Sequence, residues 1–174
     1  MVLEVRIYGD PVLRKTAEPV KTFDDDLKNI VAEMIESLRE EDGIGLAAPQ
    51  VGAPLRIVVI DTTGGEKEPL VLINPEITES SEEMVTAEEG CLSVPGISLS
   101  ISRHSQVTVK ALDIQGKEFI IDNADGLLAR ALQHEIDHLN GIMIVDHISA
   151  LQRSMISGKL KKLAKSGRDK SQVA

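Results

Sequence analysis

The chain has 174 residues, one cysteine and a formal net charge of −9, from 28 acidic and 19 basic residues. That length suits a single domain that buries a core without disulfides, and a lone cysteine excludes an internal one, which fits a reducing compartment or a thiol kept for its chemistry. The acidic balance, with one Tyr, two Phe and no Trp, argues against broad electrostatic or stacking recognition of nucleic acid and leaves only a local basic patch possible.

The opening segment, MVLEVRIYGDPVLRK, has no long apolar core of the kind a signal peptide carries. No apolar run approaches the roughly 20 residues that span a bilayer, so a cytoplasmic protein with no membrane role is expected. Residues 24–41 place Leu27, Ile30, Val31, Met34, Ile35 and Leu38 at helical spacing, with aspartates at the start to cap the helix and complement its dipole. A loop rich in Gly, Ala and Pro follows, DGIGLAAPQVGAP. Two short β-branched runs, LRIVVID and LVLIN, read as strands separated by the loop TTGGEKEP. ISLSIS and part of QVTVKALD alternate, and IQGKEFIID continues as a hairpin turning near Gln115 and Gly116. A helix covers about 125–140. A last one is expected from Ser149 to Lys165, with Leu151, Met155, Leu160 and Leu163 inward and a basic C-terminal end. Residues 167–174 are polar and expected to be a disordered tail, leaving 1–166 as one catalytic domain. Strands clustered mid-chain with helices at the two ends indicate an α+β fold.

The chemistry concentrates in QHEIDHLNG, residues 133–141. At about 100° per residue, His134 and His138 lie about 40° apart on one helix face and can converge on one ion, as an H-E-x-x-H pattern requires. Leu127, Leu128, Ala131, Leu132, Ile136 and Leu139 cover an apolar arc; Arg130, Gln133, Asp137 and Asn140 cover the opposite one. The histidines sit at the edge of the apolar arc and Glu135 well inside it. Desolvation raises a carboxyl pKa and a nearby dication lowers it, which together suit a group that exchanges protons with activated water. The structural alternative is a helix with two surface histidines and a buried, hydrogen-bonded glutamate.

A catalytic site of this type takes a third protein ligand and keeps one position open. A third histidine three residues beyond Gly141 is excluded, because Ile144 stands there. A downstream glutamate is excluded too, because none follows Glu135. Asp146 and His147 read as an ordinary turn. Cys91 remains, in EEGCLSVPG. A lone cysteine is commonly inert core, but glycine and acidic neighbours suggest a shaped loop, and a thiolate suits zinc or ferrous iron. Cys91, His134 and His138 would then form a Cys-His-His site.

Three motifs in order, GIGLAAPQ (43–50), EGCLS (89–93) and QHEIDHLNG (133–141), give the chain a strong resemblance to the peptide deformylases. Alone, GIGLAAPQ reads as a helix C-cap and turn; the three together are specific. The resemblance implies antiparallel sheets packed around a central metal-binding helix, and hydrolytic removal of the formyl group from N-formylmethionine of nascent polypeptides. It implies Cys91, His134 and His138 as ligands of one divalent ion, ferrous iron in the cell with zinc or nickel as substitutes. It implies Glu135 as general base and acid, the Gln50 amide and Leu92 N–H as oxyanion donors, and Gly45 backbone as a substrate contact. Arg103 would contact the peptide backbone or brace the site. Ile44, Leu127 and the His134 ring could wall a methionine pocket. Arg130 is expected to be solvated. A monomer is expected, with a ribosome contact through the basic C-terminal helix. The alternative is an H-E-x-x-H metallopeptidase cutting internal peptide bonds.

Overall fold

A computed structural model describes residues 1–173. Helix α1 (Asp25–Glu40) starts where expected: Asp24 caps it by accepting from the Leu27 N–H at 3.0 Å, and Asp25 and Asp26 occupy its first turn. Its Leu27, Val31, Met34 and Leu38 are buried.

The strands are β1 (Gly45–Ala47), β2 (Ile57–Ile60), β3 (Leu70–Ser80), β4 (Met84–Gly90), β5 (Ser98–His104), β6 (Gln106–Leu112) and β7 (Glu118–Asp125). All pair antiparallel. Five form a sheet in the order β1-β2-β3-β6-β7, and β4–β5 form a separate hairpin. The sheet lies between α1 and the central helix α2 (Gly126–Leu139). This explains why IVVI is apolar throughout. Ile57 and Val59 join the α1 cluster, while Val58 and Ile60 pack with Leu132, Ile136 and Leu139 of α2. Burying these chains on both faces stabilises by roughly 1.5–3 kcal/mol each. A third apolar cluster, including Val94, Ile101, Met143 and Leu160, lies under the hairpin. The fold is α+β, with antiparallel sheets around α2, as expected.

Within the sheets one expectation changes, one strand is not predicted by the sequence and one turn holds. The segment read as a loop after α1 contains β1 and a 3₁₀ turn (Ala48–Val51). Its Gly-Ala composition carries no strand signal; pairing of Gly45 with Ile60 and of Ala47 with Val58 imposes the conformation. Strand β4 has no sequence signature because six of its seven residues are exposed, so it does not alternate. Full register with β5, from Met84↔His104 to Gly90↔Ser98, makes it a strand. The β6–β7 hairpin does turn at Asp113–Lys117, with Gly116 at φ 84°.

The C-terminal helix is two helices, α3 (Ala150–Met155) and α4 (Ser157–Val173). Leu151 and Met155 point outward, 71% and 79% exposed, because the break at Ile156 turns α3 away from the core that Leu160 joins. Residues 167–173, expected as a tail, continue α4; Ala174 lies outside the described residues. Gly167 is the physical reason: it is buried where a Cβ would lie 2.3 Å from the Tyr8 carbonyl oxygen and 2.4 Å from that of Ile7. No larger residue permits this approach. Among the described residues, no helix is long and apolar enough to cross a membrane.

Gly167→Ala should therefore undock the end of α4, at a cost of about 1–3 kcal/mol, or several degrees in Tm for a chain of this size. Thermal melting and trypsin cleavage in α4 check this. An unchanged Tm with α4 still protected would refute the close-packed end.

Candidate active site

Helix α2 presents His134 and His138 one turn apart, with ring centroids 5.1 Å apart. Cys91 follows directly on the last residue of β4, and a turn closed by the Val94 N–H to the Cys91 carbonyl (2.9 Å) holds its backbone. Cys91 Sγ lies 3.3 Å from His138 Nε2. The donor atoms of Cys91, His134 and His138 all fall within 4.8 Å of one another. A metal bound at about 2.3 Å from sulfur and 2.0–2.1 Å from imidazole nitrogen needs donors spaced on that scale. One soft thiolate with two imidazoles suits zinc or ferrous iron rather than magnesium or calcium. The residues present thus fit one such ion.

Glu89 orients this donor set. It is the one buried residue of β4, and its carboxylate uses all four acceptor positions. Oε1 accepts from His134 Nδ1 at 2.8 Å and from Arg103 Nη2 at 3.0 Å. Oε2 accepts from Arg103 Nε at 2.9 Å and from Arg130 Nη1 at 2.6 Å. Burial pushes this carboxyl up, but the hydrogen bonds from His134 and Arg103 outweigh it and hold the group well below the usual carboxylate range. An ionised Glu89 takes the proton-bearing Nδ1 of His134 and leaves Nε2 free to face Cys91 and His138. Sequence reasoning missed Glu89. The available signal was its position two residues before Cys91, near the end of the strand that leads into it.

Glu135 is different. It is 4% exposed, its Oε2 has no hydrogen-bond partner, and Oε1 lies 3.9 Å from His134 Nε2. Burial raises its pKa to about 7, against the opposing pull of His134 and Arg103. Gly45 makes room for it: a Cβ there would stand 2.6 Å from Glu135 Oε1.

Gln50 is held by its own turn. Its Oε1 accepts from the Ala47 N–H at 2.9 Å, so its amide nitrogen faces Ser93 Oγ (3.1 Å) and Cys91 Sγ (3.7 Å). The Leu92 N–H has no protein partner among the described residues. A cavity of about 510 Å³ opens over these groups. Ile44, Gly45, Gln50, Leu92, Leu127 and His134 all line it, so the expected pocket residues come together.

Two arginines depart from expectation. Arg103 does not line the cavity; it is buried and ties Glu89 to Asp137 through a 2.6 Å contact from Nη1 to Oδ2. Its burial and its ion pairs with Glu89 and Asp137 suit bracing, one of the two roles expected for it. Arg130 is not a free surface side chain; it is mostly buried. The helical wheel placed it opposite the apolar arc, but the β4–β5 hairpin packs over that side and takes its guanidinium. His147 does not join the ligand cluster; it follows a 3₁₀ turn, Ile144–Asp146, and meets Asp137 Oδ2 at 2.8 Å.

A family model described as "Polypeptide deformylase" matches residues 2–154. The chain belongs to the peptide deformylase family. A peptide deformylase of Thermodesulfovibrio yellowstonii is 50% identical over 162 residues, covering 92% of this chain and 97% of that protein. One of Rhizobium meliloti (strain 1021) is 48% identical over 161 residues, covering 91% and 92%. The crystal structure of a peptide deformylase from Legionella pneumophila superposes with a TM-score of 0.89 at 47% identity, covering 95% of this chain and 96% of that one. The chain is thus a hydrolase of a metalloenzyme family, and a metallopeptidase acting on internal peptide bonds is not favoured.

Gly45→Ala should push the Glu135 carboxylate aside while leaving the ligands alone. A displacement of about 1 Å in a catalytic group costs on the order of 100-fold, so kcat for formate release should fall about 10–100-fold at unchanged metal content. A wild-type kcat in this variant would show that the close approach is irrelevant.

Proposed function

We propose that the chain hydrolyses the N-formyl group of formylmethionine at the start of newly made polypeptides, releasing formate and a free amine. The observation that carries this reading is the unpartnered, buried Glu135 carboxylate, with a pKa near neutrality, beside a Cys-His-His donor set. We read Cys91, His134 and His138 as ligands of one divalent ion, ferrous iron in the cell with zinc or nickel as substitutes. When bound, the ion supplies Lewis acidity that makes water nucleophilic near neutral pH.

The remaining steps belong to the chain's own groups. Glu135 Oε2 accepts a proton from the attacking water and delivers it to the departing amine nitrogen as the formyl C–N bond breaks. The Gln50 amide nitrogen and the Leu92 N–H, both neutral and already placed, donate to the oxygen that becomes negative. Ile44, Leu127 and the His134 ring wall the methionine side chain. β1 is an end strand of its sheet and Gly45 lines the cavity, so an extended peptide backbone can lie along it. Arg103 acts through Glu89 and Asp137 rather than on substrate.

We read residues 1–166 as the body of one catalytic domain, with the end of α4 docked on it, working as a cytoplasmic monomer on nascent chains. The lysines of α4, among them Lys159, Lys162 and Lys165, are the basic surface for a ribosome contact.

A formate-release assay on matched formyl-Met and unformylated peptides tests the reading. Turnover of the formylated peptide alone is expected; cleavage of only the unformylated one would overturn it. Glu135→Gln should retain the metal and lose about 10²–10⁴-fold in kcat, and normal turnover would remove Glu135 from the mechanism. Cys91→Ser should lose metal on dialysis that the parent protein survives; equal metal content would exclude Cys91 as a ligand.

A further inference from the structure

Arg130 stands one turn ahead of His134 on α2, and its side chain is 13% exposed. Nη1 donates to Glu89 Oε2 at 2.6 Å and to the Ile101 carbonyl at 2.9 Å. Nη2 donates to the Val85 carbonyl at 2.7 Å. These acceptors lie on β4 and β5, the hairpin that leads into Cys91, whereas Arg130 itself lies on the helix that carries His134 and His138. Arg103 makes the reverse connection. It belongs to β5 and reaches Asp137 on α2, and both arginines meet on Glu89.

We propose that Arg130 is a positioning residue for the metal centre, holding the Cys91 hairpin against the histidine helix and fixing the Glu89 carboxylate that orients His134. This rests on the metal-binding reading above. The physical argument is one of acceptors. Without Arg130, Glu89 Oε2 keeps a single donor, Arg103 Nε, and the carboxylate is free to swing. Two backbone carbonyls of the hairpin then lose a charged donor. The elements supplying the three ligands remain joined through Arg103, through Glu89 and through the pairing of Gln133 with the His104 backbone, but with one strut fewer. A lysine cannot replace it, because one ammonium is a point charge that does not span three acceptors around a planar fork. Groups that orient a ligating histidine typically change metal affinity 10–100-fold when removed.

Arg130 also lines the cavity, so direct contact with substrate is the competing reading. The full chain, loaded with Ni²⁺, is compared as the parent protein, Arg130→Met and Arg130→Lys. The readouts are the half-time of nickel release into excess chelator, the melting temperature, and KM and kcat for a formyl-Met peptide. Arg130→Met should release nickel about 10–100-fold faster, with KM within about threefold of the parent. Arg130→Lys should fold and fall between them. Nickel release at the parent rate in folded Arg130→Met overturns the proposal, as does a raised KM with unchanged release, which assigns Arg130 to substrate. If Arg130→Met does not fold, parent-like release from Arg130→Lys overturns it. A parent protein that holds no nickel would instead refute the metal reading itself.

Discussion

The site depends on keeping one carboxylate, Glu89, charged inside the protein. An isolated buried carboxylate costs several kcal/mol, and geometry must repay that with donors on every lone pair. Here the donors are two arginines and the Nδ1 of His134. They arrive from two elements. Arg103 comes from the same hairpin as Glu89, while Arg130 and His134 come from α2 on the other side of the site. Neutralising Glu89 therefore brings two elements to a fixed separation, and the donor atoms of Cys91, His134 and His138 converge as a consequence.

A second carboxylate in the same site is treated in the opposite way. Glu135 lies beside His134 and is as buried as Glu89, yet one of its oxygens has no partner. Burial dominates there and raises the pKa, while hydrogen bonds dominate at Glu89 and lower it. Two carboxylates pushed apart in this way are suited to different roles, one to stay a fixed anion and one to exchange a proton near neutral pH. The contrast also explains the glycine at position 45. A carboxylate left without donors needs space rather than bonds, and Gly45 supplies the space.

Periodicity revealed what the site is built on, and pairing decided what holds it. Helices α1 and α2 were legible because their apolar residues recur at helical spacing, and Glu135 stood out because it interrupts an apolar arc. The β6–β7 turn was legible from Gln115 and Gly116. Strand β4 was not, since six of its residues are exposed and only the register with β5 defines it. The roles of Glu89 and Arg130 were hidden for the same reason: a helical wheel shows which way Arg130 points but not that a hairpin covers that side. The end of α4 was misread because composition reports polarity, whereas Gly167 acts through the absence of a side chain against the carbonyls of Ile7 and Tyr8.

Part of the site sits on segments with weak local preferences, and neighbours hold those segments in place. Gln50 sits in a 3₁₀ turn of four residues, too short to be stable alone. Its backbone carbonyl accepts from the Arg6 N–H at 2.6 Å, and the Ser93 carbonyl accepts from the Tyr8 N–H at 2.8 Å. The N-terminal segment thus bridges the GIGLAAPQ and EGCLS stretches, and α4 in turn packs on that segment through Gly9 and Gly167. Rigidity reaches the Gln50 and Leu92 stretches from the two ends of the chain. A donor fixed before the reaction does not have to reorganise as charge develops, which is where such a site gains most of its advantage over water.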